Sequence, residues 1–379
     1  MCFILVLTMI IAMKALVLCI GVLLSTCKAA VFAKDKPTYG RVVFGSCSNP
    51  LRGGEIWKII QGFTPDQLVL LGDQFYADFR SFGDSFQKRK VTPEVFEDSY
   101  RNLTEDKHWK ELVNSVDGWM ATFDDHDYGR NNGDKNFRLR NVSQDAFWKF
   151  TGASSTDKSG RRKSGVYNAK TVKVDIPEYG TTFTYKVILL DVRSNKDTSS
   201  TMNGDFLGTE QWLWLTEQLL DPEPNLFLVG SPIQVLPDDK YVEESWKEFP
   251  HRRERLLKLL ASVASSAHQD VVLLSGDIHS AEVTQATGKL TVDAQYDINL
   301  KGRLHNKKEK VSREVLFHEL TSSGLSHSFS SWTLPESESD AADKPIEVAK
   351  SVWRSMGFAI YQVGAMQLMM KYNYVYDCM

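Results

Sequence analysis

Six short apolar runs recur along the chain, and each of them ends in polar, small or acidic residues. They are rich in Val, Leu and Ile and show no alternation of apolar with polar positions, which is typical of strands buried on both faces. Helical stretches lie between several of them, at about 93–115, 209–220 and 250–267. Buried strands that alternate with helices predict an α/β fold. The six runs cover 41–48, 67–73, 118–125, 186–193, 225–231 and 270–277.

Other segments alternate apolar with polar positions, as strands with one solvent-facing side do. They cover 166–176, 182–190 and 357–363, and they predict a sheet with mixed or antiparallel pairing. The last of them leads into Gly364 and Ala365, where the sequence favours a hairpin. Because the chain contains no internal repeat and no low-complexity tract, we expect one layered domain.

The beginning of the chain has the pattern of a secretory signal peptide. Residues 2–27 are almost entirely apolar apart from Lys14, and an apolar stretch of about ten residues follows that lysine. Residues 31–33 then form a cleavage site of the A-x-A type. We therefore predict a signal peptide over 1–33, a single catalytic domain over 34–379, and secretion. If the apolar segment is not cleaved, the alternative is a signal-anchored membrane form.

The composition is that of an ordinary globular protein. Of 379 residues, 42% are hydrophobic and 25% are charged, which excludes a disordered tail protein and a polytopic membrane protein. The net charge is −3, and it becomes −5 when the two lysines of the signal peptide are removed, so no nucleic-acid-binding surface is expected. Cleavage would leave only Cys47 and Cys378, so disulfides do not build this fold. Sequons at Asn102 and Asn141 permit N-glycosylation in a eukaryotic host.

Side chains with the chemistry of metal ligands follow several of the predicted strands. In open α/β sheets ligands bind at the carboxyl ends of strands, so we expect these side chains to meet at one sheet edge. A thiol, carboxylates, a phenol and imidazoles together are typical of a metal site. The residues are Cys47, Asp73, Tyr76, Asp78, Asp124, Asp125, His126, Asp127, Asp277 and His279.

Each of these residues alone also has an ordinary explanation. Cys47 could be a small buried apolar residue, Asp73 a helix cap and Tyr76 a packing residue. Together, however, so many carboxylates would repel one another and their pKa values would rise, and a bound cation removes that conflict. Their joint position at strand ends therefore favours a metal site.

Four sequence blocks resemble the metal-binding motifs of a known family. The blocks FGSCS, LLGDQFYAD, FDDHDYGRNN and LLSGDIHSAE are similar to those of the PhoD-like alkaline phosphatases, within the metallophosphoesterase superfamily. The resemblance runs in the same order over about 41–325, and it implies a layered α/β/β/α sandwich with mixed sheets. Relatives from bacteria often carry a β-domain before the catalytic domain, and 34–46 is too short to form one. The resemblance thus implies the catalytic domain alone.

The resemblance also implies which residues hold which metals. Fe³⁺ would be bound by Cys47, Asp73, Tyr76 and His279, and Asp73 would bridge to one or two Ca²⁺ ions. Asp125 and Asp277 would bind on the divalent side. Zn²⁺ or Mn²⁺ is the alternative there, as in the related purple phosphatases. The donor chemistry agrees with this division, because thiolate and phenolate suit a trivalent ion and carboxylates suit a hard divalent ion.

The expected mechanism is hydrolysis of a phosphate ester by a metal-bound hydroxide. His126 is the candidate donor of a proton to the leaving oxygen, with Asp127 orienting it. Arg193, at the end of a predicted strand, either contacts phosphate through its planar guanidinium or is a surface arginine. Loops at about 78–92, 128–140 and 293–312 are expected to close over the site and to decide between monoesters and diesters.

The sequence thus predicts a secreted, monomeric, metal-dependent phosphatase or phosphodiesterase of the alkaline phosphatase D type. Its substrates would be small-molecule or lipid phosphate esters. One alternative is a catalytically inactive secreted binding protein of the same family, and another is a purple-phosphatase-like monoesterase with a different divalent metal. The sequence contains neither the G-x-S-x-G motif of serine hydrolases nor the P-loop motif of NTPases.

Overall fold

The structure is a computed structural model that describes most of the chain. The described residues are 5–11, 40–50, 54–82, 85–176, 180–198, 203–238, 243–264, 269–294, 297–298, 304–305, 309–326 and 366–372.

Strands and helices alternate along much of the chain, as the apolar pattern predicts. The strands are β1 (Leu5–Ile11), β2 (Arg41–Gly45), β3 (Gln67–Leu71), β4 (Phe79–Phe82), β5 (Ser85–Lys88), β6 (Gly118–Thr122), β7 (Asn168–Ile176), β8 (Thr181–Leu189), β9 (Leu226–Gly230), β10 (Asp270–Ser275), β11 (Ala281–Ala294), β12 (Asp297–Ile298), β13 (Leu304–His305), β14 (Glu309–Ser322) and β15 (Met366–Tyr372). The helices are α1 (Glu55–Gly62), α2 (Pro93–Glu105), α3 (Lys107–Ser115), α4 (Asp125–Tyr128), α5 (Arg140–Thr151), α6 (Gly208–Leu219) and α7 (Pro250–Ala264), with a 3₁₀ turn at Trp246–Glu248.

Two larger sheets form the centre of the fold. One has five strands in the order β15-β1-β2-β3-β6, and the other has six in the order β11-β14-β10-β9-β8-β7. The neighbours β2, β3 and β6 run parallel, as do β8, β9, β10 and β14. Strand β7 pairs antiparallel with β8, and β11 pairs antiparallel with β14. The predicted combination of parallel and antiparallel pairing is therefore confirmed.

Alternate residues of the central strands face two different cores, which explains why these strands are apolar throughout. In β2, Val42 and Phe44 pack between the two sheets, and Val43 packs outward among the helices α1, α2, α3 and α5. In β9, Leu228 faces the other sheet, whereas Phe227 packs outward against α6 and α7. The result is four layers in the order α/β/β/α, as expected.

The two ends of the chain belong only partly to the described residues. Strand β1 lies within the predicted signal peptide and pairs antiparallel with β2 and parallel with β15. Cleavage after Ala33 would remove β1, and β2 would then lie at the sheet edge. The strand expected at 357–363 and the turn at Gly364 and Ala365 lie outside the described residues. In the part of the chain that the structure describes, no helix combines the length and the apolarity needed to cross a bilayer.

One expected helix is divided into two. The stretch 93–115 forms α2 and α3, separated by Asp106, whose backbone leaves the helical region with ψ of 130°. The Asp106 side chain accepts a hydrogen bond from the Trp109 amide at 2.9 Å and thereby caps the start of α3. Apolar periodicity continues through the break, since Leu103, Trp109 and Leu112 all join the same core. For this reason the pattern alone could not show the interruption.

This cap gives a prediction about stability. We expect Asp106→Ala to lower the free energy of unfolding by about 1 kcal/mol, because the amide hydrogens at the start of α3 lose their acceptor. Asp106→Asn is the matched control, and it should retain most of the stability because asparagine caps equally well. Urea denaturation of the three proteins measures the difference. Equal stability of the alanine and asparagine variants would contradict the capping role.

Candidate metal centre

The side chains that follow β2, β3, β6 and β10 converge on Asp73. Three groups of potential ligand atoms, each lying within 4.8 Å of one another, all include this residue. One group combines a thiol and an imidazole with Asp73, the second combines Asp125 and His126 with it, and the third contains carboxylates alone. The groups are Cys47, Asp73 and His279; Asp73, Asp125 and His126; and Asp73, Asp124, Asp125 and Asp277. The structure thus brings together the residues that the sequence placed at strand ends.

The thiol side of the cluster is fully enclosed. Cys47 is buried, its Sγ lies 3.6 Å from Oδ2 of Asp73, and it accepts a hydrogen bond from Oγ of Ser323 at 3.1 Å. The phenol of Tyr76 lies beside it, with its hydroxyl 3.5 Å from Nε2 of His279. The four residues expected to bind Fe³⁺ therefore share one small volume. Their assignment to iron remains a prediction.

Backbone conformation holds these ligands at tight turns. The positive φ angles are 61° at Cys47, 54° at Asp73, 69° at Asp277 and 51° at His279. Residues with a side chain rarely adopt such angles, which cost about 1–3 kcal/mol each and are found at ligand clamps and active sites. Gly72 precedes Asp73, and a Cβ there would come within 2.5 Å of Cβ of Asp124, so only glycine lets the two loops approach so closely.

Burial and mutual repulsion raise the pKa values of several acidic groups of the cluster. Burial, followed by the charges of Cys47 and Asp125, raises the pKa of Asp73 well above its ordinary value. Burial likewise raises the pKa of Asp277 and, to about 6, that of Asp124, although Arg193 counteracts the shift at Asp124. Burial also raises the pKa of the Cys47 thiol. A cation at the centre would reverse these shifts, because it stabilises each charged form.

Several carboxylate oxygens of the cluster accept no hydrogen bond in the part of the chain that the structure describes. Oδ2 of Asp124, Oδ1 of Asp125 and Oδ2 of Asp277 are buried and accept no hydrogen bond within the described residues. Leaving a buried charged acceptor without a partner is costly, and such groups are normally paired or bound to a metal. Together with the soft and phenolic donors around Cys47, these oxygens fit a centre of more than one cation.

His126 is held by a carboxylate that the sequence analysis did not assign to it. Its Nδ1 lies 2.8 Å from Oδ1 of Asp78, and the other oxygen of Asp78 accepts the Asn131 amide at 2.6 Å. Its Nε2 lies 3.9 Å from Oδ1 of Asp125. Burial disfavours the imidazolium, but the charge of Asp125 and the hydrogen bond to Asp78 outweigh burial and raise the pKa of His126 to about 9.

Asp127 does not make the expected contact with His126. Its carboxylate accepts hydrogen bonds from the amides of Asp124 at 2.6 Å and Gln74 at 3.2 Å. These bonds fix the start of α4 against the loop after β3, and they point Asp127 inward, where it is fully buried. The orienting role predicted for Asp127 is therefore replaced by a structural one, and Asp78 occupies the orienting position.

Arg193 lies beneath the cluster and has no solvent exposure, so the alternative of a surface arginine is wrong. Its Nε donates to Oδ1 of Asp124 at 2.5 Å, and its Nη1 pairs with Glu244. Lys196 pairs with the other oxygen of the same glutamate. The second sheet thus supplies two cations behind the acidic cluster. The contact of Arg193 with phosphate remains a prediction.

Asp78 and Asp124 are among the strand-end candidates of the sequence, but their contacts with His126 and Arg193 could not be read from it. Glu244 was not among the candidates, because it lies in an irregular loop and reaches Arg193 only through the tertiary fold. Of the three loops expected to cover the site, 78–92 and 128–140 do contribute residues around His126. The side chains of 293–312 lie outside those that the structure describes.

Comparison with known proteins identifies the family. A family model described as PhoD-like phosphatase matches residues 42–375. The chain belongs to the PhoD-like phosphatase family. This match confirms the resemblance drawn from the four sequence blocks.

Comparison with solved structures agrees with the family match, but the similarities are weaker. The chain is similar to PhoD, with 18% identity and a TM-score of 0.53, and the match covers 76% of this chain and 60% of PhoD. At this identity the similarity shows the fold alone, and the chain spans less than two thirds of that protein. It is also similar to GAP50, the anchor in the inner membrane complex of Plasmodium, with 11% identity, coverage of 74% and 70%, and a TM-score of 0.39. That likeness is too weak to support a conclusion. No curated protein matches the chain.

The shared position of Asp73 gives the second prediction. Asp73→Asn should reduce the metal content of the purified PhoD-like chain to a small fraction of the wild-type value, since all three ligand groups lose a charged oxygen. Elemental analysis after dialysis measures this. The matched control is Asp98→Asn, on the exposed side of α2, which should leave the metal content unchanged. Wild-type metal content in Asp73→Asn would contradict a centre built around Asp73.

Proposed function

We propose that this PhoD-like chain is a secreted phosphoric ester hydrolase that depends on metals held around Asp73. One observation carries the proposal: a thiol, a phenol, two imidazoles and four carboxylates converge there, and three carboxylate oxygens are buried and accept no hydrogen bond within the described residues. Family membership supports phosphoric ester hydrolysis as the reaction. Secretion rests on the signal pattern at 1–33, most of which lies outside the described residues.

The two sides of the cluster differ in donor chemistry. We assign Cys47, Tyr76 and His279, with Asp73, to Fe³⁺, because thiolate and phenolate are strong anionic donors. We assign the carboxylates Asp124, Asp125 and Asp277, again with Asp73, to one or two divalent cations. An all-oxygen set favours Ca²⁺ over Zn²⁺, with Mn²⁺ as the alternative. Asp124, one of the strand-end candidates, is added here to the ligands that the family resemblance implied.

The chemistry that bound cations supply is activation of a water molecule and neutralisation of charge on the phosphate oxygens. The chain's own residues orient the proton donor and hold the carboxylates in place. Asp78 holds Nδ1 of His126, so that Nε2 is the nitrogen available to give a proton to the leaving oxygen. Arg193 fixes Asp124 from behind and balances part of the negative charge, which keeps that carboxylate ionised and in place.

Assay with p-nitrophenyl phosphate and bis(p-nitrophenyl) phosphate tests the proposed function. Turnover by the wild type that is lost in Asp73→Asn supports a metal-dependent hydrolase, and the ratio between the two substrates shows whether monoesters or diesters are preferred. Silence of a folded, metal-loaded wild type toward both substrates would favour the inactive binding protein. Activity with zinc or manganese in place of calcium would favour the purple-phosphatase-like alternative.

The acid role of His126 gives the third prediction. We expect His126→Asn to lower kcat/KM for an alkyl phosphate by roughly 10²–10⁴-fold, which is the usual contribution of a general acid. The loss with p-nitrophenyl phosphate should be far smaller, because p-nitrophenolate leaves readily without a proton. Asp78→Asn should show the same dependence on the leaving group, more weakly. Equal losses on both substrates would indicate that His126 supports the metal centre and does not donate a proton.

The Cys47 ligand gives the fourth prediction. Purified, unsupplemented protein should contain about one iron per chain and show a visible charge-transfer band from thiolate or tyrosinate. Cys47→Ser should shift or weaken this band and lower the iron content, while far-UV circular dichroism stays unchanged because serine is of similar size. Ser115→Ala, on α3 and away from the cluster, is the control, and it should retain the colour. An unchanged band in Cys47→Ser would disprove the ligand assignment.

A further inference from the structure

A cavity of about 520 Å³ lies next to the Asp78–His126 pair. Asp78 forms part of its wall, and Phe79, which lies on the same wall, has its ring centre 5.4 Å from that of His126. Phe137 contributes a second aromatic surface to the lining. The cavity therefore opens beside the proposed proton donor, where the leaving group of a substrate would be.

The walls of this cavity carry an excess of positive charge. Lys88, Arg89, Arg130 and Arg138 line it, and Asp78 is the one acidic residue among the described lining residues. The carboxylate of Asp78 is already occupied by His126 and by the Asn131 amide. Lys88, Arg130 and Arg138 are exposed and make no ion pair within the described residues. In a chain whose net charge is −3, this concentration of cations is local.

One of these cations is held in place by the backbone. The guanidinium of Arg89 donates to the carbonyl oxygens of Ala77 and, at 3.2 Å, Tyr76. Its amide donates to the carbonyl oxygen of Asp78 at 2.8 Å. Arg89 is thereby fastened to the loop that carries both the candidate ligand Tyr76 and the partner of His126. The positive wall and the catalytic cluster form one connected unit.

We propose that this cavity binds a second phosphate group, carried by the leaving group of the substrate. Three of the four cations are arginines, whose planar guanidinium groups match phosphate oxygens in pairs. Phe79 and Phe137 provide an apolar surface for the organic part between the two phosphates. The favoured substrates are thus small soluble bisphosphates. This inference rests on the proposed function and narrows its substrate class.

Steady-state kinetics with two related substrates test the proposal. The wild type should hydrolyse fructose 1,6-bisphosphate with a kcat/KM roughly tenfold or more above that for fructose 6-phosphate, through charge-assisted contacts to the second phosphate. The double variant Lys88→Gln/Arg138→Gln should bring this ratio near one and leave the monophosphate rate within about twofold. Added salt should also reduce the ratio, since exposed cations are screened.

The matched control removes two lysines outside the cavity. Lys110→Gln/Lys149→Gln makes the same change in net charge on α3 and α5, and it should leave the ratio at its wild-type value. A wild type that shows no preference for the bisphosphate would overturn the inference. So would a cavity variant that slows both substrates equally, because the cations would then serve the catalytic centre in general.

A binding measurement separates this inference from the proposed function. In full-length Asp73→Asn, which should not turn over substrate, calorimetry with fructose 1,6-bisphosphate reports on the cavity alone. Adding Lys88→Gln/Arg138→Gln should weaken that binding roughly tenfold. Absence of binding, or no change on adding the cavity substitutions, overturns the inference even if p-nitrophenyl phosphate is hydrolysed. If the wild type hydrolyses neither p-nitrophenyl phosphate nor bis(p-nitrophenyl) phosphate, the proposed function fails, and the substrate role of the cavity fails with it.

Discussion

Acidic groups buried around Asp73 repel one another, and the rest of the structure depends on how that repulsion is contained. In water such carboxylates would separate, but here three strand ends hold them within 4.8 Å and out of solvent. Burial and like charge together raise the pKa values of Asp73 and Asp277, so the arrangement is unfavourable without an added positive charge. A site that maintains this conflict is suited to binding cations and, through them, phosphate.

Two features of the fold make the cluster stable enough to persist. Strands packed between two cores give rigid supports, so the turns after them can hold four ligands at positive φ. Arg193 and Lys196 lie behind the carboxylates from the second sheet and compensate part of their charge through Asp124 and Glu244. Buried ion pairs of this kind add little net stability, so we assign their value to positioning.

His126 lies between a region of negative charge and a region of positive charge. The acidic cluster lies on its Nε2 side, near Asp125, and the basic cavity lies on its Nδ1 side, beyond Asp78. A substrate with phosphate at each end would meet cations at both, bound metals at one and arginines at the other. Asp78 stands between the two regions, and this position explains why one carboxylate can both orient the imidazole and border the cavity.

The sequence by itself determined the buried strands and, through its family motifs, the four-layer architecture. It also determined which candidate ligands follow the strands, among them Cys47, Asp73 and Asp277. These features are readable because each depends on residues close together in the chain: an apolar run and the polar residue at its end. Only the tertiary structure decided that Asp78 and not Asp127 contacts His126, since hydrogen bonds to two amides turn Asp127 inward. Glu244 and the basic cavity are likewise products of segments distant in sequence. Local patterns specify which chemical groups stand at strand ends, whereas packing between distant segments determines which of those groups touch.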